Sequence, residues 1–163
     1  MGRWLAKVRP ACYRSIFHVN ISEHSFLDGK VSKRSLPAFQ PPLVGDLPMT
    51  KRLLLAQGEL AQFHDGEQGI RYLAAVQLVS GTARGNHYHS RKQEWIYLIA
   101  GAVQLVVEDV ETKVRETLPM VTGDLVYISP GVAHALVVQK EGMAVEFSPV
   151  RFDPADTFRH TLV

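Results

Sequence analysis

A single cysteine, Cys12, stands among 163 residues. A lone thiol excludes an intramolecular disulfide framework and any cysteine-rich zinc module. No apolar run approaches the roughly 20 residues that a membrane-spanning helix needs, so a membrane partner is not expected. Beyond Thr50 no segment offers three turns of helical periodicity with caps at its ends. Acidic residues are missing from residues 1–22, which hold Arg3, Lys7, Arg9 and Arg14. That basic stretch faintly resembles an organelle transit peptide, but Pro10 interrupts any long amphipathic helix there. The continuous apolar core of a secretory signal is also lacking. The expectation is therefore a cytoplasmic protein with an N-terminal extension, in which Asn20-Ile21-Ser22 is an unused glycosylation triplet.

What is present is an ordinary globular composition, 46% hydrophobic and 21% charged, which places the chain among single domains with at most an appendage. The net charge of +2 is unevenly spread. Residues 1–50 carry seven Lys/Arg against three Asp/Glu, and residues 51–163 carry eleven against thirteen. The body is mildly acidic and has no basic stripe with interleaved aromatics, so nucleic acid is not an expected partner.

Pro37-Ala38-Phe39-Gln40-Pro41-Pro42, with Pro48 shortly after, reads as an extended connector. The expected division is an extension with a proline-rich connector over residues 1–50 and one folded domain over residues 51–163. In the latter, strands are expected at Ile70–Val79, Trp95–Ile99, Val103–Val107, Lys113–Leu118, Leu125–Ile128, Val132–Val138 and Ala144–Phe147, each bounded by Gly, Pro or charged residues. Many short strands with regular turns predict an all-β sandwich or barrel.

One stretch carries chemistry. His87 and His89 are two apart, so on a strand they project from the same face. Glu94 follows a polar segment, Ser90-Arg91-Lys92-Gln93, able to form a hairpin turn. On the return strand Glu94, Ile96 and Leu98 share one face, and Trp95, Tyr97 and Ile99 the other. Two imidazoles and a carboxylate converging from neighbouring strands are a first-row metal's ligand set. Downstream, His134 shares a face with Val132, Leu136 and Val138, an apolar setting in which a histidine calls for a reason.

Gly81, five residues, His87-x-His89, four residues, Glu94, six residues, Gly101 resembles the first motif of the cupin superfamily without a gap. Gly123-Asp124…Pro130-Gly131-x-x-His134 resembles its second motif with one extra residue before the proline, and Val138 stands where the family's closing Asn would be. The resemblance covers roughly residues 51–150. It implies a cupin-type double-stranded β-helix, a small antiparallel jelly-roll barrel. It also implies one divalent first-row transition metal (Fe, Mn, Ni, Co or Zn) held by His87, His89, Glu94 and His134.

Arg84-Gly85-Asn86-His87-Tyr88-His89 is similar to a segment of cupins in bacterial sugar-nucleotide pathways, among them keto-sugar isomerases. Phe152-Asp153-Pro154-x-Asp156-Thr157 is similar to the tail of a capsular-polysaccharide sugar reductase's cupin half. These resemblances imply an enzyme acting on a small polar substrate by isomerisation or epimerisation. A non-haem dioxygenase and a non-catalytic metal- or carbohydrate-binding module are the alternatives. Arg84 is the expected receiver of a substrate anion, while Arg71 reads as a solvated surface residue. Tyr88 is expected to pack away from the metal, and Glu146 to face solvent, with a second inner carboxylate serving as acid or base as the alternative for Glu146. The stripe of Trp95, Tyr97 and Ile99 reads as outward, covered by the N-terminal arm or by a second copy in a homodimer.

Overall fold

The computed structural model describes residues 23–163, so the features read at Cys12, in the basic stretch and at Asn20-Ile21-Ser22 lie outside the described residues. The chain begins with a hairpin of β1 (Glu23–Phe26) and β2 (Val31–Ser35), turned by a single 3-10 turn. The short β3 (Ala38–Phe39), β4 (Lys51–Leu55) and β5 (Gly58–Gln62) form a small separate sheet. Next come β6 (Tyr72–Leu78), β7 (Ala83–Tyr88), β8 (Glu94–Asp109), β9 (Arg115–Val121), β10 (Asp124–Ile128), β11 (Val132–Ser148) and β12 (Phe158–Arg159). With β1 and β2 they make one nine-stranded, all-antiparallel sheet. Among the described residues the only other regular elements are two 3-10 turns, in keeping with the all-β expectation. None of their helices is long and apolar enough to cross a membrane.

A long ribbon organises the barrel. β8 and β11 pair antiparallel from Asp109↔Val132 to Trp95↔Phe147. The sequence predicts two strands for each, but both run on through a corner. Gly101 takes a left-handed φ of +105° at the bend, where a Cβ would lie 2.7 Å from the Lys140 carbonyl oxygen. The opposing Gly142 is pressed against the Ala100 carbonyl in the same way. Glycine alone lets the two backbones approach this closely while they fold over. β11 absorbs the turn with register shifts between Val138 and Ala144. One half of the ribbon pairs with β7 and β9, the other with β6 and β10. β9 runs through Pro119, tolerable because that strand pairs only with β8 and is an edge.

The barrel interior is apolar: Ile96, Leu98, Val103, Leu105 and Val107 of β8 meet Val132, Leu136, Val138 and Ala144 of β11, with Leu27 and Val31 from the N-terminal hairpin. The expected extension therefore contributes to the fold. β2 pairs with β10 from Asp124↔Ser35 to Ile128↔Val31, and Leu36 is buried as well.

The outward aromatic stripe is covered from within the chain, in part by the arm as one of its two expected readings has it. Tyr97 is 1% exposed because Phe63, just after β5, stacks on it at 4.6 Å and 13°. Trp95 is half-buried against Phe147, and Ile99 stays exposed. Leu36 of the arm and Phe63 of the body, both from the same chain, supply the cover. Tyr88 lies on an outer face, stacked on Phe158 at 5.1 Å.

Candidate metal and proton-transfer site

Three strands bring the polar residues together. His87 is on β7 opposite His134 of β11. β7 approaches so closely because Gly85, at φ +99°, has no side chain: a Cβ there would sit 2.6 Å from the His134 carbonyl oxygen. Asn86 adopts φ +57° and accepts N–H bonds from Leu162 and Val163, tying the C-terminus to the histidine strand. His89 lies one residue past β7, and Glu94 opens β8.

One ligand atom each from His87, His89 and Glu94 lie within 4.8 Å of one another, an arrangement able to hold a metal ion. His134 Nε2 is 3.1 Å from Glu94 Oε2, and His89 Nε2 is 3.6 Å from the same oxygen. The His87 ring lies 4.7 Å from that of His134 and 5.0 Å from that of His89. All four expected ligands are thus neighbours. Their orientation follows from hydrogen bonds on the far side. His89 Nδ1 donates to the Asp156 carbonyl at 2.6 Å and His134 Nδ1 to the Val132 carbonyl at 3.3 Å. A carbonyl only accepts, so each Nδ1 carries a proton and each Nε2 is turned toward Glu94.

Glu94 is 2% exposed, and its Oε2 has no hydrogen-bond partner among the described residues. Burial works against its charge, but His134 and His89 hold the carboxyl well below the ordinary carboxylate range. Reciprocally, burial opposes a charge on His134, and Glu94 outweighs it and raises the imidazole. His87 moves the other way: burial, with His134 beside it, lowers it to about 4, which leaves it neutral at neutral pH.

Glu146 corrects the expectation of a solvent-facing residue. It lies on the inner face of β11, where the ribbon's second half turns it into a cavity of about 80 Å³ that it lines with Arg84, His87 and His134 over a floor of Val76, Ile96 and Leu136. Burial and the neighbouring Glu94 carboxylate push its carboxyl above the usual range, with Lys92 pulling in the opposite direction. Arg84 is exposed at this cavity, and no carboxylate among the described residues lies within 4 Å of its charge. Arg71 is exposed on a different surface groove, with Arg91 and Arg151.

Two residues at the site escape sequence reasoning. Lys92 reads as one polar residue of a turn, yet it is 3% exposed and reaches Glu94 Oε1 at 2.5 Å and Glu146 Oε1 at 2.8 Å. Its same-face spacing from Glu94 is the signal in the sequence. Asp156, also 3% exposed, accepts from the backbone N–H groups of Ser90, Arg91 and Lys92 and from the Ser90 hydroxyl. It clamps the loop that joins His89 to Glu94, while its own carbonyl orients His89. Burial opposes the Asp156 charge, but these donors prevail and lower the carboxyl to about 2.

Residues 75–148 match the model of the family described as Cupin domain. No curated protein matches the chain by sequence. Among solved structures, it is similar to a dTDP-6-deoxy-D-glucose-3,5-epimerase from Legionella pneumophila in complex with dTDP-4-keto-L-rhamnose, at 13% identity and a TM-score of 0.65, covering 85% of this chain and 77% of that one. A 3'-monoepimerase from Streptomyces bikiniensis in complex with dTDP-quinovose gives 17% identity and a TM-score of 0.65, covering 82% and 71%. A 3,4-ketoisomerase from Thermoanaerobacterium thermosaccharolyticum in complex with TDP-4-keto-6-deoxyglucose gives 14% and 0.61, covering 80% and 88%. At these identities the likeness is one of fold.

Proposed function

We propose that this chain, whose residues 75–148 form a cupin domain, isomerises or epimerises a keto-sugar of the sugar-nucleotide class, with one divalent first-row transition metal held by His87, His89, Glu94 and His134. The observation that carries the reading is Glu94 Oε2: a buried carboxylate oxygen without a hydrogen-bond partner among the described residues, facing two imidazole nitrogens beside a cavity walled by Glu146 and Arg84. Three nitrogens and one oxygen fit such an ion and leave positions open on it. A bound ion supplies polarisation of the substrate carbonyl.

The protein's own groups do the rest. An 80 Å³ cavity takes only the reacting end of a substrate, and the remainder lies outside it. Arg84, with its charge free at the mouth, receives an anionic group such as a phosphate. Glu146 takes the proton from the carbon beside the carbonyl and the C–H electron pair forms the enolate. Epimerisation then returns a proton to the same carbon on the opposite face, whereas isomerisation puts it on the former carbonyl carbon while the hydroxyl proton of the first carbon passes to the former carbonyl oxygen. Burial makes this carboxylate a stronger base than an exposed one. That sugar-nucleotide epimerases and ketoisomerases share the fold supports the substrate class.

A specific observation favours a second reading. The His134–Glu94 ion pair and the Lys92 ammonium already balance the buried carboxylates, so the site is closed without a metal. Neutral His87 then serves as the base. One experiment separates the two. TDP-4-keto-6-deoxyglucose and related keto-sugar nucleotides are incubated with the protein in D₂O and followed by NMR, before and after chelation, with bound metal measured. Exchange that disappears with the metal and returns on reloading is the expected result, and Glu146→Gln lowers it by about 10²–10⁴ with metal content unchanged. Exchange that persists in metal-free protein selects the His87 reading. Oxygen consumption without exchange, or no exchange on any keto-sugar nucleotide, defeats both.

A further inference from the structure

Lys92 is the only lysine or arginine among the described residues that is fully buried. Its ammonium is completely engaged. It donates to Glu94 Oε1 at 2.5 Å and to Glu146 Oε1 at 2.8 Å, and it lies 4.1 Å from the centroid of the Tyr72 ring. Its backbone N–H is fixed by Asp156 at 3.0 Å, so the side chain starts from an anchored point. An ammonium has three donors, and here two meet carboxylates on different strands while an aromatic face covers the remaining side. Nothing is left over to bind a substrate.

We infer that Lys92 is a positioning residue that assigns the two inward-facing carboxylates, buried Glu94 and half-buried Glu146, to two different tasks. By occupying Glu94 Oε1 it leaves Oε2 alone for a metal ion, so Glu94 ligates through one oxygen. By occupying Glu146 Oε1 it keeps that carboxylate on the cavity side and out of the metal's coordination shell, where a ligand could not act as a base. The inference rests on the metal-dependent reading of the site. Two adjacent carboxylates withdrawn from bulk water need a cation between them, and without a resident one a divalent ion recruits both.

The test uses the full chain loaded with Mn²⁺, which favours carboxylate oxygens, and with Co²⁺, whose visible bands report coordination number. Lys92→Met is expected to bind Mn²⁺ about tenfold or more tightly than wild type, with weaker Co²⁺ bands as Glu146 joins the shell. Lys92→Met/Glu146→Gln restores the net charge and removes the second carboxylate. It is expected to return both readouts to wild type, within about threefold in affinity. Lys92→Gln, an amide without the charge, carries the same expectation as Lys92→Met, so a misfolded methionine variant leaves the test intact. Wild-type affinity and spectrum in a folded Lys92 variant overturn the inference, as does an effect that persists undiminished in the Glu146→Gln background. A wild-type chain that takes up neither ion overturns the metal reading itself, a distinct failure that removes this inference with it.

Discussion

Along the first half of β8, Glu94, Ile96 and Leu98 point into the barrel while Trp95 and Tyr97 point out of it, yet both rows are withdrawn from water. Each row also contains one buried polar atom without a hydrogen-bond partner among the described residues, Glu94 Oε2 inside and the Tyr97 hydroxyl outside. The surroundings differ. Two imidazole nitrogens face the Glu94 oxygen, and a second carboxylate and a lysine sit beside it. Tyr97 lies in an aromatic layer, and its charged neighbours Arg52 and Glu59 are already paired with each other at 2.6 Å. An unpaired buried atom points to function where other polar groups converge on it; elsewhere it is a packing cost.

The most severe way to break the comparison is to remove what supports both faces. A chain beginning at Lys51 loses Leu27 and Val31 from the interior and Leu36 from the outer layer, together with the strand paired to β10. Sequence composition predicts that such a truncation stays soluble and binds metal. The packing predicts otherwise. Each of those side chains contributes about 1.5–3 kcal/mol, and their sum approaches the whole of a typical domain's roughly 5–15 kcal/mol. The expected outcome is loss of a cooperative thermal transition by circular dichroism. A truncated chain that melts as sharply as the full one would restore the division at residue 50.

A smaller effect separates the faces. Phe63→Ala uncovers Tyr97 without touching the interior, and a half-buried phenylalanine of this kind is expected to cost about 2 kcal/mol in urea unfolding. The imidazole NMR signals of His87, His89 and His134 are expected to stay in place, because their rings pack on one another rather than on the outer-layer aromatics. Shifts at those histidines would show that the two faces are coupled through β8.

How much of this was readable in the chain follows from the range of each interaction. Three of the four expected ligands, His87, His89 and Glu94, converge because strand parity and a short loop bring them together, and both are local properties of the sequence; His134 arrives by the long-range pairing of β11 with β7. Lys92 was within reach of the same argument, two residues from Glu94, but turns are rich in polar residues and its partner Glu146 is 54 residues away. Glu146 depends on β11 continuing through its register shifts, which no local pattern announces. Asp156 acts through backbone donors 64 to 66 residues distant. The N-terminal hairpin was hidden for a similar reason: its partner strand lies some ninety residues on, beyond a proline-rich stretch that reads as a linker.

The smallest effect sharpens the comparison on the outer face alone. Burial is the main cause that pushes the Tyr97 phenol up to about 12, with Glu59 adding to it and Arg52 opposing, against about 10 in an unfolded chain. Between those two values the folded state holds a proton that the unfolded state has released. The contribution is therefore fully present below about pH 10 and is lost as pH rises through about 12. Tyr97→Phe removes both the titrating group and the unpaired hydroxyl. At pH 7 the variant is expected to melt at or slightly above the wild-type temperature, since an unsatisfied buried hydroxyl costs about 1 kcal/mol or more. From pH 10 to 12 its stability is expected to fall less steeply than that of wild type, the other tyrosines and the lysines titrating alike in both. Parallel slopes in the two proteins would mean that the Tyr97 phenol titrates at an ordinary value and that Phe63 does not seal the outer layer against water.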